Sequence, residues 1–165
     1  MSKEWVELDR GSISREAALQ AIYSRNPGKE TLLKDHSDFM KVLTPIEQNT
    51  DLLKKLKKRG FNLYYLTNYH SDLFQKTFQK YDFFRFFNGG IVSAAVKLIK
   101  PDPAIFSLLM EKYALKADEC LYIDDSKKNT EAARKLGIQS IHLKKPGGLK
   151  KDLSKVTGLH MTGVL

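Results

Sequence analysis

Asp124 and Asp125 stand side by side directly after the apolar run Leu121-Tyr122-Ile123, with Ser126 and Asn129 close behind. Adjacent carboxylates at the end of a buried strand repel one another and resist leaving water. A divalent cation relieves both costs. Oxygen ligands of this kind suit Mg²⁺, which keeps several waters and shares its shell with a substrate phosphate. The ordinary alternative is that one of the acids caps the next helix. Two other positions carry complementary chemistry. Thr67 and Asn68 follow the run FNLYYL at 61–66. There a hydroxyl and an amide can donate to an anion beside a helix N-terminus. Otherwise they cap that helix or shape the turn. Lys100 precedes Pro101-Asp102-Pro103, whose prolines fix the local backbone. An ammonium held this way can neutralise phosphate or pair with carboxylates, although Lys-Pro is also the ordinary pattern of a surface lysine before a helix.

The elements that must position these residues alternate. The N-terminal part is helical: Trp5, Val6 and Leu8 begin an apolar stripe. Ser14 then offers half a capping box to AALQAIYS, and Asn26-Pro27-Gly28 is a stop. Phe39, Met40 and Leu43 suit a short helix before Pro45, and residues 46–59 a longer one closed at Gly60. From there the pattern predicts a strand at 61–66, a helix at 71–80 and a turn at 88–90. A strand at 91–92, a helix at 103–113, a strand at 121–123, a helix at 127–136 and a strand at 139–143 follow. Such alternation implies an α/β fold with a parallel, doubly wound sheet, whose sites lie at the carboxyl ends of the strands.

Composition narrows the class. Hydrophobic residues make up 42% of 165, enough to build a core. Twenty-eight Lys+Arg against 19 Asp+Glu give a formal charge of +9. Lys54, Lys55, Lys57 and Lys58, and later Lys144, Lys145, Lys150 and Lys151, do not interleave with aromatics. They read as solvated faces, so no nucleic-acid partner is expected. No apolar run reaches bilayer length, and the N-terminus has no apolar signal-like region, so no membrane partner is expected either. The single cysteine, Cys120, lies in an apolar run and reads as a buried thiol. These features lead us to expect a cytoplasmic protein.

Taken in order, Leu66-Thr67-Asn68, then KPDPAIF, then YIDDSKKNTEAARKLGI resemble motifs two, three and four of the haloacid dehalogenase superfamily over about residues 61–143. The acidic pair with Asn129, Ala133 and Gly137 resembles the phosphatase branch, including glucose-1-phosphate phosphatase-like members and the N-terminal phosphatase domain of epoxide hydrolases. WVELDRGSISREAA resembles part of the helical cap of those enzymes. The resemblance implies a Rossmann-like three-layer core at 46–165 and a partial cap at 1–45. It implies an Mg²⁺-dependent phosphatase of small phosphorylated metabolites working through an aspartyl-phosphate. Thr67 would donate to the phosphoryl oxygen, with Asn68 in support. Lys100 would bridge phosphoryl group and nucleophile. Asp125 would bind Mg²⁺ directly, Asp124 directly or through water, and Asn129 would support the loop.

One part of the pattern is missing. The family's first motif is an apolar strand ending in Asp-x-Asp, and no such element is present. Asp9 sits in a cap-like helix, and Asp35, Asp38 and Asp51 follow no apolar strand. The reading therefore expects the first central strand and the nucleophile to be absent and the chain as given to be inactive. The flanking strands would then close up, or the run at 159–165 would fill the slot, or the chain is a fragment. The alternatives are a catalytically dead binding or regulatory module and, disfavoured by the acidic pair, a 2-haloacid dehalogenase.

Overall fold

A computed structural model describes residues 2–28 and 43–158. The helix expected around Phe39 and Met40 and the run at 159–165 lie outside the described residues. In chain order the elements are α1 (Lys3–Arg10), α2 (Arg15–Arg25), α3 (Glu47–Lys58), β1 (Tyr64–Thr67), α4 (Ser71–Lys80), β2 (Gly89–Val92), α5 (Ser93–Val96), α6 (Pro103–Lys112), β3 (Leu121–Asp124), α7 (Lys127–Lys135), β4 (Gln139–His142) and α8 (Leu149–Thr157). The strands form two two-stranded parallel sheets, β1 with β2 and β3 with β4. The chain is thus α/β with parallel strands, as its alternating pattern implies. The described residues divide into two compact units, Met1–Thr44 with Tyr64–Lys100 and Pro45–Leu63 with Pro101–Leu165.

In the first unit, Ser14 caps α2 by accepting from the Ala17 N–H at 3.2 Å, as its half capping box predicts. Gly11 ends α1 in the left-handed region, φ 75, where a glycine costs least. Aromatics build this unit's packing: Tyr65 meets Phe74, Phe84 and Phe87 with ring centroids 5.2 to 6.1 Å apart. The same ring corrects one expectation. Gly89 and Gly90, expected in a turn, lie in β2. A Cβ on Gly90 would fall 2.3 Å from the Tyr65 Cδ2 and backbone oxygen, so glycine lets the strands pair beneath the ring.

In the second unit, α7 packs on both β3 and β4, and α3 packs against α8. Leu52, Ile141 and Leu153 form the buried centre, with Leu56, Leu121, Ile123 and Leu149 around it. Ile105 and Phe106 of α6 are fully buried, and the Phe106 ring meets Tyr122 edge-on at 5.2 Å. Asp102 caps α6 by accepting from the Ala104 N–H at 2.9 Å, with Pro103 in the first turn. Helix α8, absent from the expected elements, buries Leu153.

Candidate functional site

Residues of the first unit gather around the carboxyl end of β1. Thr67 pairs with Val92 in the parallel register, which sets Asn68 and Ser93 just beyond the two strand ends. The Asn68 Nδ2 donates to the Lys100 carbonyl at 3.0 Å, and the Lys100 N–H donates to the Asn68 Oδ1 at 2.8 Å. This two-point clamp ties the two segments main chain to side chain. The Lys100 Nζ donates to the Leu66 carbonyl at 2.6 Å, so the ammonium is held at the end of β1 beside Thr67. Lys100 is half-buried, unlike an ordinary surface lysine. Asn68 does not cap α4: His70 is the N-cap residue, and Asn68 serves Lys100 instead. A hydroxyl, a fixed ammonium and a helix N-terminus are groups whose chemistry suits an anion.

Sequence reasoning missed two residues here. The Tyr69 N–H donates to the Ser93 Oγ at 2.8 Å, and the Ser93 hydroxyl donates in turn to the Asp9 carbonyl. The Asp9 carboxylate accepts from the His70 backbone N–H. Burial pushes that carboxyl up to about 6 against the opposing pull of this hydrogen bond. Ser93 carried a weak signal, since it directly follows a predicted strand. Nothing near Asp9 in sequence points to its partners.

The second unit holds the acidic pair. The Asp124 Oδ1 accepts from the Ser126 N–H at 2.8 Å and from the Asn129 Nδ2 at 3.0 Å, and its Oδ2 accepts from the Tyr122 hydroxyl. Burial first, then the hydrogen bond and charge of Asp124, raise the Tyr122 phenol above its ordinary range, so it stays a donor. Ser126 is the N-cap of α7 and makes no side-chain cap, so neither acid caps the helix in the usual way. Asp125 is exposed, and its carbonyl lies 3.0 Å from the His142 Nε2. The register Asp124 with His142 explains that approach. Among the described residues no cluster of three or more His, Cys, Asp or Glu exists. The chemistry of the donor set nonetheless fits Mg²⁺: two adjacent oxygen-donor carboxylates, Asp124 oriented by its hydrogen bonds and Asp125 exposed.

Helices alternating with parallel strands define an α/β, Rossmann-like class of fold. Residues 9–143 match the family described as haloacid dehalogenase-like hydrolase, and the chain belongs to that family. It is 26% identical to the sesquiterpene phosphatase astK of Aspergillus oryzae, covering 86% of this chain and 73% of that protein. It is 32% identical to bifunctional epoxide hydrolase 2 of Mus musculus, covering 62% of this chain but 19% of that protein. It is 30% identical to a phosphoglycolate phosphatase of Vibrio parahaemolyticus, over 56% and 41% of the two chains. A magnesium complex of a HAD family enzyme from Bacteroides thetaiotaomicron shares the fold with a TM-score of 0.70 and 24% identity, covering 86% of this chain and 74% of that one. A dehalogenase structure shares it with a TM-score of 0.69 at 19% identity, covering 90% and 71%. Among the described residues no helix is long and apolar enough to cross a membrane.

Proposed function

We propose that this chain is part of an Mg²⁺-dependent phosphatase of small phosphorylated metabolites, with residues 1–45 as part of a helical cap and 46–165 as core. Thr67 donates to a phosphoryl oxygen. Lys100, held by Asn68, offsets the negative charge of the transferred group. Asp125 is the direct ligand of the metal ion, Asp124 a direct or water-bridged one, and Asn129 fixes the loop. Mg²⁺, when bound, supplies charge neutralisation at the phosphate. The nucleophilic aspartate of the family would attack phosphorus while the ester oxygen leaves with a proton, and water would then cleave the aspartyl-phosphate. The sequence contains no Asp-x-Asp, so no residue here takes that role and this chain by itself does not turn over. The carrying observation is the hold on Lys100: Asn68 fixes its main chain with two hydrogen bonds, and its Nζ donates to the Leu66 carbonyl beside the strand-end hydroxyl of Thr67. The phosphatase names among its relatives support the same reading.

Titration calorimetry of the chain with inorganic phosphate and Mg²⁺ tests this. Phosphate binding is expected, weakened about tenfold or more in Lys100→Ala, the equivalent of one charge-assisted hydrogen bond. Mg²⁺ binding is expected to vanish in Asp125→Ala. A folded chain that binds neither ion ends the proposal. Metal-independent turnover of a 2-haloacid would replace it with dehalogenation.

A further inference from the structure

Three consecutive residues beyond Thr67 are each held by a different distant segment. Asn68 is clamped by Lys100, the Tyr69 N–H is bound by Ser93, and the His70 N–H is bound by the Asp9 carboxylate. Ser93 links two of these tethers, because its hydroxyl accepts from Tyr69 and donates to the Asp9 carbonyl. Both residues are buried, Ser93 completely and Asp9 at 7% exposure. Gly11 brings the corner after α1 close enough to do this: a Cβ there would sit 2.5 Å from the Ala94 carbonyl oxygen. No ion pair to Asp9 is found among the described residues. A carboxylate buried against its own solvation, with a backbone N–H as its donor partner, is an expensive way to fill space. Its chemistry is better matched to gripping a backbone that must not move.

We infer that Asp9 and Ser93 are positioning residues: through them the corner between α1 and α2 holds the Asn68–His70 turn, and with it the Thr67 hydroxyl and the Lys100 ammonium, in the geometry that grips a phosphoryl group. This rests on the phosphoryl reading above. It assigns to a helical segment distant in sequence a direct hold on the anion-binding turn, so that seating of α1 and phosphate affinity rise and fall together.

The experiment follows two readouts on the full chain in parallel, amide hydrogen exchange at Tyr69 and His70, and the affinity for inorganic phosphate. Asp9→Ala and Ser93→Ala are expected to speed exchange at their bonded amides and to weaken phosphate binding by about five- to tenfold, the loss of about one hydrogen bond. Asp9→Asn, which keeps an acceptor oxygen for the His70 N–H, is expected to restore affinity to within about twofold of the parent. A merely structural role would lower the melting temperature without separating Ala from Asn in phosphate affinity. Ser93→Ala removes a single oxygen and carries the test if Asp9→Ala does not fold. Unchanged exchange at Tyr69 and His70 overturns the interlock. Faster exchange with unchanged phosphate affinity overturns the positioning role alone. A parent chain that binds no phosphate overturns the phosphoryl reading and takes the positioning role with it.

Discussion

The turn after β1 and the turn after β3 solve the same problem by opposite means. Beyond β3, Asp124 organises its own neighbourhood. Its three donors, Tyr122, Ser126 and Asn129, all lie within five residues of it. Beyond β1 every tether is long-range: Lys100 lies 32 residues from Asn68, Ser93 lies 24 from Tyr69, and Asp9 lies 84 from Ser93. A local hub is built as soon as its own segment folds, and one substitution at its centre dismantles it. A distributed turn depends on tertiary closure and loses its tethers one at a time.

The largest effect should come from removing the local hub. Asp124→Ala leaves three half-buried donors without their acceptor and is expected to destabilise by about 3 kcal/mol in chemical denaturation. Asn129→Ala, which spares two of the three bonds, should cost well under half as much. Comparable costs for the two would mean that Asp124 is not the centre.

Next is Asp9, whose effect depends on pH. Its folded carboxyl titrates near 6 against an ordinary value of 3.8. Between these values the folded chain holds the proton that the unfolded chain has released, so this group's contribution to stability falls as pH rises and is fully lost above about 6. The shift corresponds to about 3 kcal/mol at neutral pH. Asp9→Asn lacks this step. Its stability relative to the parent should therefore climb by roughly 2 to 3 kcal/mol from pH 4 to pH 7, measured by denaturant titration at each pH. A difference that is flat across that range would show that the carboxylate is well solvated.

Breaking one long-range tether should matter less. Asn68→Ala removes both hydrogen bonds to the Lys100 main chain and should cost about 2 kcal/mol, with faster exchange at the Lys100 amide. Equal loss of protection around Asp124 would contradict the local character of that turn's hydrogen bonds.

The smallest effect should be a gain. Lys97, on the connection leading to Lys100, has φ 56, in the left-handed region that a side chain disfavours. Lys97→Gly should stabilise by up to about 1 kcal/mol in the same denaturation experiment. No gain would mean that the lysine side chain makes compensating contacts.

These contrasts also explain what could be read beforehand. The helix Ser71–Lys80 was legible because apolar spacing acts over one or two turns. The Asp124–Asn129 loop was legible as a unit because its donors and acceptor share one short stretch. The pairing of Asn68 with Lys100 was legible only as two separate candidates. Gly89 and Gly90 were misread as a turn because the Tyr65 ring that demands a glycine lies on another strand.

By itself the sequence determined the alternation of helices and parallel strands, the acidic pair with its supporting asparagine, the hydroxyl and amide that close the first strand, and the lysine before Pro101. These follow from periodicity and from chemistry confined to a few neighbouring residues. Only the tertiary structure decided that the Lys100 ammonium is tied to Leu66, that Ser93 bridges two segments, and that Asp9 is buried against the His70 amide. Desolvation and hydrogen bonding between residues dozens apart exist only after the chain has closed on itself, and no local pattern encodes which partner each will find.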